Sequence, residues 1–361
     1  MDFEVQITEK VDEELWNDEL KYVSSSSIYQ VPSFLEVYKE TFKAHPIFIY
    51  IKNKGQIVGQ HAALIYSDYF WKDAPVIIQK IASKLNLGSL LRWEYGPIIH
   101  DLKNKDQILH TILSSIDTVA NQHKIDIIKG STFPEITPSS DDIFKKYNYK
   151  IKNWATFLID LHNEPDEIFN SLSKTTRYDI RKAEKNNLEF EIAKNFSSYQ
   201  ELVELSLKIK KKKGQKIKEH SKFYEQFWNS LYQKGFLQVF LARMNGELLG
   251  GIEVLIFNKN VHQYGVVNSE NKQFQAGSFL TWNAIKWSIQ NQYRTFDMGG
   301  VNPEPENEKE NLIGFYKSKW AGKQFYFNRY TKIRNNFGFK ISSVLNNPAK
   351  LSHRIKKILN N

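Results

Sequence analysis

Val261-His262-Gln263-Tyr264-Gly265-Val266-Val267, a polar link over Asn268–Phe274, Ala276-Gly277-Ser278, and then Thr295-Phe296-Asp297-Met298-Gly299-Gly300 form the most informative stretch of this chain. The first block has the β-branched and aromatic content of a strand. The small residues Ala276, Gly277 and Ser278 open a helix over Ser278–Gln290 that carries Leu280, Ala284 and Trp287 on one face. A short strand over Thr295–Met298 then ends at two glycines. The first turn of a helix has unpaired N–H groups and a positive dipole end, so small residues there let a diphosphate come close to the backbone. Gln273 stands just ahead of that turn.

Asp297 places a carboxylate at a strand end, and Gly299-Gly300 permits a tight turn over a ligand. Further on comes Gly314-Phe315-Tyr316-Lys317-Ser318-Lys319-Trp320-Ala321-Gly322. Tyr316 and Trp320 are spaced to share one helical face, with Lys317 beside it. A lysine against an apolar wall can clamp a carboxylate or a phosphate, whereas a solvated lysine does neither. Asp297 is a candidate base for an amine, although aspartates beside glycine often only form turns. His262 is a lone strand histidine, a type more often packed or exposed than chemical.

The surrounding chain repeats one grammar. Residues 1–22 are acidic and helix-like, with a helix over Glu13–Val23 and another over Ser33–Phe42. Pro46–Ile51 and Ile57–Ile65 flank Asn53-Lys54-Gly55 as a hairpin. Leu90–Tyr95 and Ile125–Ile128 follow as strands around a helix at Asp106–Val119. A helix at Asp141–Lys146, a strand at Trp154–Ile159 and a helix from Pro165 through Ser173–Lys185 come next. The second half brings helices at Phe196–Lys213 and Ser221–Lys234, then strands at Leu237–Arg243, Leu248–Phe257 and Val261–Val267. Asn245-Gly246 is a strong hairpin turn. An acidic loop at Glu304–Glu310 precedes a helix over Asn311–Lys319 and a strand over Lys323–Arg329. This succession suggests two copies of one mixed α/β unit with a cleft between them, the acidic loop covering its mouth. The expected domains are residues 1–160 and 161–335, with a basic tail or helix over 336–361.

Composition bounds the function. The chain has 361 residues, too many for one comfortable core. It has no cysteine, which removes disulfides and thiolate nucleophiles. Its nine histidines lack metal-ligand spacing, so no metal is expected. With no run of 18 apolar residues and no signal-like start, a cytoplasmic protein without a membrane span is expected. Residues 1–150 carry 17 basic and 20 acidic side chains, and residues 151–361 carry 33 basic and 20 acidic. This excess fits either a solvated lysine surface or an anionic partner for the second half: a nucleotide-bearing cofactor, a phosphorylated or lipid-linked substrate met by peripheral membrane contact, or a tRNA. The run Lys208–Lys218 holds seven lysines in eleven residues, without the aromatic interleaving of a base-stacking platform. No DNA-reading element and no dinucleotide fingerprint occur.

Gln273, Ala276 and Ser278 form a loose version of the acyl-CoA acetyltransferase signature, and Leu237–Arg329 resembles the C-terminal domain of the FemABX family and its BioF2-like relatives. The matching features are Asn245-Gly246-Glu247, Gly250-Gly251, Tyr264-Gly265, Ala276–Trp287, Asp297–Gly300 and Tyr316-Lys317-x-x-Trp320 with Gly322. Ala321 stands where that family usually has glycine. Thr176-Arg177-Tyr178-Asp179-Ile180-Arg181 and Trp93-Glu94-Tyr95-Gly96-Pro97 resemble upstream elements of the same proteins. The resemblance implies an α/β protein of tandem GNAT-like domains, mixed sheets flanked by helices. It also implies direct transfer of an acyl group from CoA, as co-substrate, or from aminoacyl-tRNA to an amine. Lys317 would engage the donor or the developing charge. Arg177, Arg181 and Tyr264 would hold the acceptor, with Tyr316, Trp320, Gly299 and Gly300 around the substrate. Without a long helical arm at Phe196–Lys234, a CoA-type donor is favoured over tRNA. A non-catalytic protein that binds an envelope intermediate is the rival.

Overall fold

The computed structural model describes residues 3–335 apart from 25, 68–87, 134–139, 216–220 and 270–271. The expected tail over 336–361 and the end of the lysine run therefore lie outside the described residues. The chain divides into two compact units, one of Met1–Lys152 with Asn328–Asn361 and one of Asn153–Phe327.

In the first unit, β1 (Glu4–Thr8), β2 (His45–Asn53), β3 (Gln56–Tyr66), β4 (Leu90–Arg92), β6 (Ile127–Ser131) and the end of β13 (Lys323–Ile333) lie in that order. The short β5 (Ile98–Ile99) pairs with β3. Only β4 and β6 are parallel; the other neighbours are antiparallel. The helices are α1 (Glu13–Lys21), α2 (Pro32–Phe42), α3 (Lys105–Gln122) and α4 (Asp141–Lys146). Period-two alternation turns Ile47, Ile49 and Ile51 of β2 and Ala63 and Ile65 of β3 to one face, where they pack with Ile108, Ile112 and Ile116 of α3. Trp93 lies in the same cluster, directly over Gly130 of β6. A Cβ at Gly130 would fall 1.8 Å from the indole.

His61 shares this core. It is fully buried and edge-on to Trp93 at 4.9 Å, and neither ring nitrogen has a hydrogen-bond partner among the described residues. Burial alone pulls its pKa down to about 3.

In the second unit the order is β7 (Lys150–Asp160), β12 (Thr295–Asp297), β11 (Asn260–Asn268), β10 (Glu247–Phe257), β9 (Leu237–Met244) and β8 (Glu189–Ile192). β11 and β12 are parallel and the other pairs antiparallel. Asn245 and Gly246 both take left-handed backbone angles (φ 50° and 80°), the requirement of the two-residue β9–β10 turn. The helices are α5 (Pro165–Ser171), α6 (Lys174–Lys185), α7 (Phe196–Lys212), α8 (Ser221–Leu231), α9 (Ala276–Gln290) and α10 (Glu308–Ser318). Ile252 and Val254 of β10, Val261 of β11 and Phe296 of β12 pack with Phe279, Leu280 and Ile285 of α9. On α8, Phe227 stacks on Tyr264 of β11 at 5.0 Å.

Several expectations change. The helix-like opening contains a strand, because Val5 and Ile7 alternate against Ile51 and Ile49 of β2. The strand expected to Tyr95 stops at Arg92, since Tyr95 is left-handed (φ 47°). The single helix from Pro165 to Lys185 breaks at Leu172, and the Ser173 side chain caps α6 by accepting from the Thr176 N–H. Glu308 and Glu310 lie not in a loop but in the first turn of α10, which Asn307 caps. No helix among the described residues is long and apolar enough to cross a membrane. None of them form a group of three or more acidic or histidine side chains able to hold a metal ion.

The unfolded chain takes up a proton at position 61 as pH falls through 6.5, while the folded chain resists until about 3. The stability linked to His61 is therefore complete above pH 6.5 and drains between 6.5 and 3. Relative to a His61→Leu variant, the wild type is expected to lose about 2 to 3 kcal/mol by pH 4.5. Urea melts at matched pH check this, and parallel pH curves for the two proteins would remove the histidine from the account.

Candidate functional site

Asp297 is the last residue of β12, and its alternation with core-facing Phe296 turns the carboxylate to the opposite face of the sheet. It is 6% exposed. Thr156 of β7 donates its hydroxyl to Oδ1, and the Gly299 N–H donates to the same oxygen at 2.8 Å. His262 of β11 lies directly across the parallel pair, its Nδ1 3.0 Å from Oδ2. Burial pushes the Asp297 pKa upward, but His262, Thr156 and the Gly299 amide outweigh it and hold the carboxyl below its ordinary value. With Nδ1–H directed at the carboxylate, the imidazole lone pair resides on Nε2.

The turn after Asp297 requires glycine at position 299, where φ is +83°. Its carbonyl and that of Gly300 accept from Lys317 Nζ at 2.9 and 3.2 Å. Burial draws the Lys317 amine down to about 8, with the Asp297 charge opposing that shift. A Cβ at Gly299 would lie 3.2 Å from Nζ and 3.9 Å from the His262 ring, so the turn, the amine and the imidazole are adjacent. Gly300 meets the Trp154 indole in the same way, 2.6 Å from a Cβ.

β11 and β12 pair only over Asn260–His262 and Thr295–Asp297. Beyond this, β11 runs on to Asn268, whereas the chain after Asp297 turns and Val301 bridges to Ala155 of β7. The two parallel strands thus part just past His262. Tyr264 marks the place, because it is the extra residue between Gln263 and Gly265 in a β-bulge against β10. At the far end of β11, α9 begins with Ala276, and its N-cap Gln275 provides no side-chain hydrogen bond. The Asn268 side chain lies over Gly277.

Of the residues singled out from the sequence, Asp297, Gly299, Gly300 and Lys317 come together. Ala276, Gly277 and Ser278 form the start of α9, and Ser278 is 8% exposed. Gln273 is exposed in the preceding turn of 3-10 helix. Tyr316 reaches Thr281 of α9, hydroxyl to hydroxyl at 3.5 Å, and packs edge-on to Trp320. Trp320 has no exposed surface and belongs to the core. Arg177 donates to the carbonyls of Asn170 and Leu172 at the end of α5, and the Arg181 guanidinium lies 5.3 Å from the Phe169 ring. His262 and Thr156 were not readable as partners. Thr156 is 141 residues from Asp297 in sequence, and only the strand order unites them.

Residues 170–315, less than half of the chain, match the sequence model of the family described as an acetyltransferase (GNAT) domain. No curated protein sequence matches the chain. Among solved structures, FemX is similar at 14% identity and a TM-score of 0.69, over 90% of this chain and 96% of that one. A tandem GNAT protein from the clavulanic acid biosynthesis pathway is similar at 11% identity and a TM-score of 0.56, over 92% and 98%. The structure of L-PGS from Bacillus licheniformis gives 11% identity and a TM-score of 0.51, over 88% and 95%. The structural matches give the chain a GNAT-type α/β fold, and the sequence match over residues 170–315 points to an acetyltransferase-type domain there.

Folded Lys317 releases its proton near pH 8, and the unfolded chain near 10.5. Folding therefore becomes more favourable as pH rises through that window, by on the order of 2 to 3 kcal/mol. The gain is expected to vanish in Lys317→Met. That variant also leaves two turn carbonyls without their donor, at a cost of about 1 to 3 kcal/mol at neutral pH. Denaturant melts of both proteins at pH 7.5 and 10 test the assignment, and an equal alkaline gain in the variant would refute it.

Proposed function

We propose that the chain is an N-acyltransferase that moves an acyl group from acyl-CoA to an amine, with the chemistry in the second unit and the first unit a further GNAT-like domain. The parting of β11 and β12 beside the His262–Asp297 pair is the observation that carries this reading. Past His262, β11 has no β12 partner along one edge, so its backbone is suited to pairing with the amides of a pantetheine chain. The start of α9 then suits the diphosphate, since its N-cap Gln275 provides no side-chain hydrogen bond and Gly277 is covered by the movable end of Asn268.

In this scheme the amine nitrogen attacks the thioester carbonyl carbon. A C–N bond forms, the carbonyl π electrons move to oxygen, and collapse of the tetrahedral species breaks the C–S bond. The amine proton passes to His262 Nε2 and from there to the departing thiolate. The base first sought in Asp297 is thus His262. Asp297 is buried with both oxygens engaged, and it orients the imidazole. Lys317 supplies positive charge at the Gly299 turn for the developing oxyanion and holds that turn's carbonyls. Positioning of the two substrates supplies much of the rate, so no covalent nucleophile is required.

Ser278 is too buried to accept a bulky probe, but a side chain at Gly277 would meet only the movable end of Asn268. Acetyl-CoA is expected to bind the wild type in calorimetric titration and to bind Gly277→Glu at least about tenfold more weakly, through repulsion of the diphosphate. Unchanged affinity in that variant would remove the diphosphate from α9. No binding to the wild type would reject acyl-CoA and make charged tRNA the donor to test.

A further inference from the structure

β1 is the outer strand of the first unit, and among the described residues its one strand partner is β2. The N–H and C=O groups along its other edge therefore form a template for a further strand. Such edges are ordinarily blunted by a lysine, a proline or a bulge. Glu4-Val5-Gln6-Ile7-Thr8 contains neither residue, and its register against β2 runs from Glu4–Lys52 to Thr8–Phe48 without a shift. The strand is also apolar on one face. Val5 and Ile7 stand directly across from Ile51 and Ile49, which pack with α3, so all four share the α3 face of the sheet. Val5 and Ile7 nonetheless stay 40% and 38% exposed.

Beside them lies an open depression of about 600 Å³ whose lining includes Val5, Ile7, Thr111, Ser115, Thr118 and Tyr147, and no carboxylate, lysine or arginine. Its hydroxyls already donate within the chain. Thr111 donates to the Gln107 carbonyl, Ser115 to that of Thr111, Thr118 to that of Ser114 and Tyr147 to that of His110, at 2.8 to 3.1 Å. A surface whose donors are met internally loses water without leaving them unpaired. The α3 wall is thus polar by residue type but suited to a dry contact.

We infer that two copies of this chain pair through β1, antiparallel, with Gln6 opposite Gln6 of the partner subunit. The strand's own sequence selects this occupant. Gln6 is its middle residue, so a two-fold axis there pairs all five residues. Val5 then meets the partner subunit's Ile7, and both exposed apolar side chains gain cover on the α3 face. On the opposite face Glu4 meets the partner subunit's Thr8, so no like charges stand across from each other. A five-residue ladder is small for a stable interface, and the uncharged α3 wall beside it adds contact area.

The test uses the full chain. Sedimentation equilibrium is expected to show a reversible dimer at micromolar concentration. Ile7→Lys is expected to weaken it at least about tenfold, by placing two ammonium groups on the shared apolar face. Register is read separately. The chain has no cysteine, so Gln6→Cys carries a single thiol. Across the axis its Cα lies about 4.5 to 5.5 Å from its counterpart, within the span of a disulfide. In Glu4→Cys the two thiol-bearing positions are offset by about 13 Å along the strands. Mild oxidation is expected to give a covalent dimer with Gln6→Cys and little with Glu4→Cys. A wild type that stays monomeric at hundreds of micromolar, a dimer indifferent to Ile7→Lys, or equal cross-linking of the two cysteine variants would each overturn the inference. Amide hydrogen exchange identifies the other occupant. Protection of every amide from Val5 to Thr8 that is independent of protein concentration would place a segment of the same chain on this edge, and would overturn it too. The cysteine pair decides the matter even if Ile7→Lys does not fold.

Discussion

A carboxylate removed from water costs several kcal/mol unless donors surround it, and in the second unit that demand falls on Asp297. Its donors come from different parts of the chain: the Thr156 hydroxyl on β7, the His262 ring on β11 and the Gly299 amide two residues on. Satisfying all three fixes the register of β7 and β11 against β12, because a slip of one residue would turn Asp297 into the α9 core. It also ties down the turn, since the Gly299 amide reaches back to the carboxylate and the chain continues from there with a positive φ. Once the turn is set, its two carbonyls point at Lys317 and draw the end of α10 toward the sheet. The requirement of one buried charge thus accounts for the placement of the histidine, the glycines and the lysine.

Much of this was legible in the residues themselves. The β9–β10–β11 hairpins follow from Asn245-Gly246 and alternating apolar runs, and the strand–helix–strand from Val261 to Gly300 follows from a change of period from two to 3.6. Asp297, Gly299, Gly300 and Lys317 could be grouped because they are close in sequence and of types that form turns and clamps. His262 could not, because a lone histidine acquires meaning only when parallel pairing sets it across from Asp297. Glu253 reads as an isolated charge in an apolar strand until the β11 register places Gly265 beside it. Trp320 does pack with Tyr316, as their spacing suggests, but its indole is fully buried in the core rather than facing a ligand, which spacing alone does not reveal. Short strands such as β1 and β8 have too few residues for periodicity to separate them from helix or loop.

The electrostatics of the second unit are divided in a way that net charge conceals. A strongly basic composition after residue 150 suggests one anionic partner, yet two carboxylates occupy one face of the sheet near the parted strands. They do different work because their surroundings differ. Asp297 is buried, and its oxygens are met by an imidazole, a hydroxyl and an amide, so its charge acts on His262. Glu253 is only half-buried and accepts from the Tyr199 phenol, which burial keeps protonated. Lys317 is the counterweight, an ammonium held beside Asp297 by two carbonyls and weakened as an ion by burial. An acyl transfer between an anionic donor and a cationic amine needs positive charge where the oxyanion forms and negative charge where the amine arrives. Under the proposed scheme the turn after β12 would meet the first need with Lys317, and the His262–Asp297 pair beside it the second.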